Sequence, residues 1–394
     1  MNKDILVINA GSSSLKFRLY SYEMEEKASG LCERIGVDGF FKIEYVFNGE
    51  TTKYETSADF KNHEDAIDFL LEKFKEFNIV SDLNDIAGIG HRIVQGGEIS
   101  SSSLVDEKVL KTIEDCIKLA PLHNKPELDV LQILIKKIPN GKNVAVFDTS
   151  FHTTIPKVNN HYAIPSEWVE KHQIKKYGFH GTSYRYITEK MHEILGVTKP
   201  LNLIVCHLGN GASICCIKQD KSFDTTMGLT PLAGLIMGTR SGDIDPSIIP
   251  YVCREENLSV DEVVDKLNKA SGFKGLCGSS DFRDINSNVQ DGNEYEFARE
   301  IFIQKIANFI AIYKNMLKDD VDAIVFTGGI GENAAVVRKM VAEKVVGIDI
   351  NKELNESKIA YHAKISEPLS KFKTYVVRTN EELMIAQDTK KFLN

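Results

Sequence analysis

The chain has 394 residues, 42% of them hydrophobic and 26% charged, which suits two or three ordinary globular domains. Its formal net charge of -8 argues against broad binding to nucleic acid or anionic membranes. Any anionic substrate must then be met by arginines gathered locally.

The first element is a strand, Ile5 to Ile8, with no basic region and long apolar stretch of the signal-peptide kind ahead of it. It runs into the turn Asn9-Ala10-Gly11-Ser12-Ser13-Ser14, followed by Leu15 and Lys16. Exposed amides, hydroxyls and a lysine in this order suit phosphate oxygens, although the spacing is not that of a Walker A loop. A plain polar hairpin reads the same residues equally well. Residues 41–65 are polar and hairpin-like. A second apolar stretch, Ile86 to Ile89, leads to His91, Arg92 and then Gly96-Gly97.

Residues 127–138 have the apolar spacing of a core helix. The strand Val144–Phe147 ends at Asp148, where a carboxylate suits metal or acid–base work as well as a turn. His180 lies in the loop Tyr177-Gly178-Phe179-His180-Gly181.

Residues 203–215 then repeat the pattern of residues 5–17: an apolar run, a polar residue (Asn9 or His207), a glycine turn (Gly11 or Gly209) and a second strand. Two unrelated hairpins would give this pattern. So would two related domains, each offering a turn that grips phosphate.

Further on, Arg240 sits among small residues from Met237 to Asp243, and Arg283 follows Asp281 and Phe282. Guanidinium forks in such loops suit phosphates and carboxylates. Residues 298–317 form a long helix with a broad apolar face. The strand Ala323–Phe326 ends in Thr327-Gly328-Gly329-Ile330-Gly331, with Glu332, Asn333 and a helix expected after it. A glycine turn before a helix favours an anion. Its late place in the chain disfavours a dinucleotide-binding domain. Thr379-Asn380-Glu381-Glu382 reads as a helix cap. The seven cysteines, odd in number and without a CxxC pair, point to buried thiols in a reducing compartment. No run approaches the ~20 apolar residues of a membrane helix.

Together VINAGSSSLKF, GHRIVQGGE, PLHN, FDTSFH, YGFHGTS, HLGNGASI, MGTRSGDIDP, DFRDI, FTGGIGEN and TNEE resemble the acetate kinase (acetokinase) family, in order over nearly the whole chain. The resemblance implies an α/β fold of the actin and hexokinase type: two RNase-H-like domains with mixed sheets flanking a central cleft. The first domain would take residues 1–148 plus 383–394, the second 149–382. It implies reversible, direct in-line transfer of the ATP γ-phosphoryl group to acetate, in a cytoplasmic homodimer.

By the same resemblance Asn9 and Glu381 position Mg2+, with Mn2+ as a substitute, and Ser12, Ser14 and Lys16 lie near the transferred phosphate. His207, Leu208, Gly209, Asn210, Gly211, Asp281, Phe282, Arg283, Gly329, Ile330, Gly331, Glu332 and Asn333 cradle the nucleotide. Arg92 holds the carboxylate, His180 and Arg240 stabilise the moving phosphoryl, and Asp148 sits at the catalytic centre. Acetate has no proton to lose at neutral pH, so magnesium or water positioning is expected of Asp148 rather than base catalysis. The acid's methyl group would pack near Val94, Leu122, Phe179 and Pro231. Valine at 94 suggests a tight pocket and hence acetate. A propionate or butyrate kinase is the alternative of the same chemistry. An ATPase of the same fold is the alternative of another class, and Arg92 and Arg240 together speak against it because ATP hydrolysis needs no carboxylate-clamping arginine.

Overall fold

The computed structural model describes residues 3–47 and 49–393. The chain divides into two compact units, residues 1–153 with 380–394, and residues 154–379. The expected boundaries at 148 and 382 thus fall at 153 and 379, and Glu381 and Glu382 lie in unit 1.

Among the described residues, unit 1 holds the strands β1 (Asp4–Ala10), β2 (Ser14–Tyr20), β3 (Glu26–Glu33), β4 (Phe40–Phe47), β5 (Glu50–Ser57), β6 (Ile86–Ile93), β7 (Ser103–Leu104) and β8 (Lys142–Phe147). They form one mixed sheet in the order β5-β4-β3-β2-β1-β6-β8-β7. β1 pairs antiparallel with β2 and parallel with β6, which pairs parallel with β8.

The unbroken apolar run of β1 has a physical cause: both faces of that strand are covered. Leu6, Ile8 and Ala10 join Ala66, Ile67 and Leu70 of the helix His63–Glu76 and Val130 and Leu134 of the helix Pro121–Lys137. Ile5 and Val7 pack on the other face with Ile385 and Ala386 of the helix Glu381–Lys391. Away from this centre, β4 alternates instead: Phe41 and Ile43 are buried, Lys42 and Glu44 exposed. The helix expected over 127–138 begins earlier, at Pro121, because proline fits a first helical turn.

Unit 2 holds β9 (Leu203–Leu208), β10 (Ala212–Lys218), β11 (Lys221–Thr225), β12 (Ala323–Thr327), β13 (His362–Lys364) and β14 (Thr374–Val377) among the described residues. Their order is β11-β10-β9-β12-β14-β13. β9, β10 and β11 run antiparallel, and β12 and β14 are parallel to β9. The core order of unit 1, β3-β2-β1-β6-β8, recurs in unit 2 as β11-β10-β9-β12-β14 with the same strand directions. The two glycine turns noted in the sequence occupy the same place in each sheet, between the first and second strands. This is the RNase-H-like arrangement, twice.

Two local expectations need correction. Residues Gly328–Asn333 are not a plain turn but helical themselves, with Thr327 at the N-cap position, and the expected helix follows at Ala335–Lys344. Gly328 makes this possible: its φ is 76°, and a Cβ there would lie 2.8 Å from the Leu208 carbonyl oxygen. The long helix runs from Glu294 to Met316 rather than from 298 to 317. The described cysteines are all free. Among the described residues, no helix is long and apolar enough to cross a membrane.

Candidate active site

Each unit carries one cluster of the expected residues. In unit 1, β6 and β8 are parallel neighbours, with Arg92 paired to Val146 and Ile93 to Phe147. This register sets Arg92 beside Asp148, which follows β8 directly. Arg92 Nη2 donates to Asp148 Oδ2 at 2.7 Å, and Nε lies 3.3 and 3.2 Å from the two carboxylate oxygens. Its Nη1 donates to Asn9 Oδ1 at 3.4 Å. Asp148 is buried. A fork of this kind fixes the guanidinium plane.

Glu381 opens the C-terminal helix. Its Oε1 is buried with no hydrogen-bond partner. Burial pushes its carboxyl up to about 7, with Asp148 and Glu382 adding to the rise and Arg92 and Lys16 opposing it. Lys16, expected near phosphate, forms an ion pair with Glu382, and Arg18 Nε lies 3.9 Å from the same carboxylate. Ser12 is exposed and Ser14 half-buried in the first turn, which is closed by Gly11 N–H to Ser14 O at 2.8 Å.

Val94 is buried and its amide donates to Glu127 Oε2 at 3.0 Å. Leu122 is 44% exposed at the start of its helix.

In unit 2, His180 caps the helix Gly181–Leu195 with φ 58°. Left-handed backbone at a non-glycine residue is strained and marks sites where geometry is imposed. Its Nδ1 is 2.8 Å from Ser213 Oγ, which also meets Tyr184 Oη at 2.5 Å. The ring stacks on His207 with centroids 4.3 Å apart, and His207 Nδ1 is 2.9 Å from Ser183 Oγ. A Cβ placed on Gly211 would lie 3.5 Å from His180 Nε2 and 3.8 Å from Arg240 Nη1. Histidine, arginine and the second glycine turn therefore converge. Arg240 Nη1 also donates to Pro231 O at 3.2 Å. Phe179 is buried beside His180, and Pro231 is half-buried.

The same turn borders a cavity of about 790 Å³, within the range of small-molecule sites. Of the residues expected to cradle a nucleotide, Gly209, Asn210, Asp281, Phe282, Arg283, Gly329, Ile330 and Asn333 line it. His207, Leu208, Gly211, Gly331 and Glu332 do not. Leu208 is a buried strand residue. Glu332 Oε1 instead accepts the amides of Gly328 at 3.0 Å and Thr379 at 3.1 Å, so it holds the turn together. Arg283 forks onto Asp281 and brings that carboxyl down to about 2.

Sequence reasoning missed Glu127, Asn124, Glu382 and Ser213, all of them buried. Glu127 and Ser213 are polar inside apolar periodic segments, which was the available signal; Asn124 and Glu382 stand among polar neighbours and gave none.

Two α/β units of one strand order, one with an arginine–carboxylate cluster and the other with a glycine-lined cavity beside a histidine and an arginine, define a phosphotransferase of the kinase class. Within that class the chain belongs to the acetokinase family, whose sequence profile matches residues 4–387. It is 48% identical over 390 residues to an acetate kinase of Mycoplasmoides gallisepticum, covering 98% of each chain. Among solved structures it resembles a propionate kinase from Francisella tularensis (TM-score 0.92, 41% identity, 99% of both chains). It also resembles an acetate kinase from Porphyromonas gingivalis (TM-score 0.91, 37% identity, all of both chains).

Proposed function

We infer that the protein is an acetate kinase, passing the γ-phosphoryl group of ATP directly and reversibly to acetate. A carboxylate oxygen of acetate bonds to the γ-phosphorus as the bond to the β,γ-bridging oxygen breaks, and ADP leaves with that electron pair. The observation that carries the reading is the Arg92–Asp148–Asn9 cluster. Guanidinium has five N–H donors. Asp148 occupies the Nε and Nη2 edge, which leaves donors on Nη1 and Nη2 for a second carboxylate, that of acetate. Asp148 thereby orients the clamp. This departs from the expected magnesium or water role, and it needs no proton transfer because acetate is already ionised.

The cavity of unit 2 would hold the nucleotide. His180, whose Nδ1 is spent on Ser213, would present Nε2 to the phosphoryl group, and Arg240 its guanidinium. Transfer through a loose, metaphosphate-like state needs positioning and positive charge above all, and one arginine in this role is worth ~10³-fold or more in rate.

Among the described residues no group of three or more His, Cys, Asp or Glu side chains is spaced to hold a metal ion. Mg2+ does not require one, since it takes one or two carboxylates and completes its shell with water and phosphate. The partnerless Oε1 of Glu381, and Oδ1 of Asn9, which also accepts from Arg92 Nη1, are hard oxygen ligands that fit it. When bound, Mg2+, or Mn2+ in its place, would neutralise phosphate charge.

Val94, buried at the acceptor side, supports acetate over longer acids. We place the enzyme in the cytoplasm, where its free thiols suit a reducing medium. We also propose a homodimer, for which exposed Trp168, Tyr251 and Phe297 offer apolar surface.

The test is incubation with ATP, Mg2+ and hydroxylamine, which traps acyl phosphates as hydroxamates. Acetate should give hydroxamate fastest, propionate more slowly and butyrate least. ADP release without hydroxamate from any of the three would refute the kinase and leave an ATPase.

A further inference from the structure

The segment after Arg92 leaves the sheet at once. Ile93 ends β6, and its carbonyl accepts the Asp148 amide at 2.9 Å. The next four backbone amides have no strand to pair with. Each donates to a side chain instead: Val94 to Glu127 Oε2 at 3.0 Å, Gln95 to Asn124 Oδ1 at 3.0 Å, Gly96 to Thr149 Oγ1 at 3.1 Å, and Gly97 to Gln95 Oε1 at 2.9 Å. Asn124 Nδ2 also returns a bond to Gln95 O at 2.8 Å.

Asn124 is 0% exposed and Glu127 3%. They stand three residues apart on the helix Pro121–Lys137, hence on one face. Leu122 is on the first turn of that helix. A carboxyl group is costly to bury without a hydrogen-bond partner. Glu127 has no part in the chemistry described above, and its Oε2 accepts the amide of Val94. One helix therefore carries Leu122 and grips the backbone on which Val94 is mounted.

We propose that Glu127 and Asn124 are positioning residues that set the enzyme's choice among short carboxylic acids, by locking the Val94 backbone to the helix that bears Leu122. The proposal rests on the reading that Val94 and Leu122 wall the pocket for the acid's methyl group. A valine wall excludes one extra methylene only if it cannot retreat. Rotation of its side chain gains little room, so retreat means moving the backbone, and the two side chains oppose that movement. A methylene in such a pocket is discriminated by about 10–200-fold, and a loosened wall forfeits part of this.

The test uses the full-length enzyme with Mg2+ and ATP and measures kcat/KM for acetate and for propionate. Glu127→Leu, which removes the acceptor, should raise the propionate-to-acetate ratio about three- to tenfold with KM for ATP unchanged. Glu127→Gln keeps an acceptor oxygen and should return the ratio toward the parent value. Equal losses for both acids, or a Glu127→Gln shift as large as that of Glu127→Leu, would overturn the proposal. Val94→Ala tests the underlying reading separately. If Val94→Ala raises the ratio and the Glu127 variants do not, the wall stands and the latch falls. If Val94→Ala leaves the ratio unchanged, the wall falls and the latch with it. Should Glu127→Leu not fold, Asn124→Ser releases Gln95 and must raise the ratio by the same criterion, or the proposal fails.

Discussion

Glu127 shows how one buried carboxyl couples stability to pH. Burial pushes it up to about 8, against the pull of the Val94 amide and Arg92, while Asp148 adds to the rise. Unfolded, a glutamate titrates near 4.3. The folded state thus holds this proton more tightly than the unfolded state does. The stability it contributes is complete below about pH 4, declines as the pH rises, and is gone once the pH has passed about 8. Glu127→Gln removes this titration while keeping an acceptor for Val94. Its melting temperature should gain on the parent's between pH 5 and pH 8 and level off above that. A constant difference across that range would show that Glu127 is ionised throughout. Glu381 is another carboxyl raised by burial, yet it interacts electrostatically with Arg92 and Asp148 and its orphan oxygen is one a cation can use.

At the scale of elements, the C-terminal helix covers one face of β1 and delivers Glu381 and Glu382 at its first turn. Its start is set by Asn380, whose side chain accepts the Leu383 amide at 3.0 Å. Removal of such a cap costs about 0.5–2 kcal/mol. Asn380→Ala should therefore lower the urea midpoint of unfolding. Because the frayed turn holds Glu381, it should also weaken the apparent Mg2+ dependence of activity severalfold. A lowered midpoint with an unchanged Mg2+ titration would separate the cap from the metal site. The cap was legible in the sequence. That the helix returns to unit 1 was not legible from the chain's own pattern, since its apolar face fits either sheet by periodicity alone.

For the whole molecule, the proposed reaction puts the acceptor side in unit 1, with the Arg92–Asp148 cluster, and the nucleotide side in unit 2, with the glycine-lined cavity. ADP alone should slow amide hydrogen exchange in residues 208–211, 280–286 and 328–334, and leave 92–97 and 121–130 unchanged. Equal protection of both sets would contradict that division of labour.

The sequence by itself determined the local features: the covered strands at 5–8 and 203–206, the glycine turns after them, the arginines in small-residue loops, and the cap at Asn380. These follow from steric freedom and apolar spacing over a few residues. Tertiary structure alone decided that Arg92 would fork onto Asp148, 56 residues away, and that Glu332 would turn inward to hold its own loop. It also decided that Glu127 and Asn124 would replace the missing strand for residues 94 and 95. Such pairings depend on strand register and on which buried amides lack a ladder partner. Neither is written in any short stretch of chain.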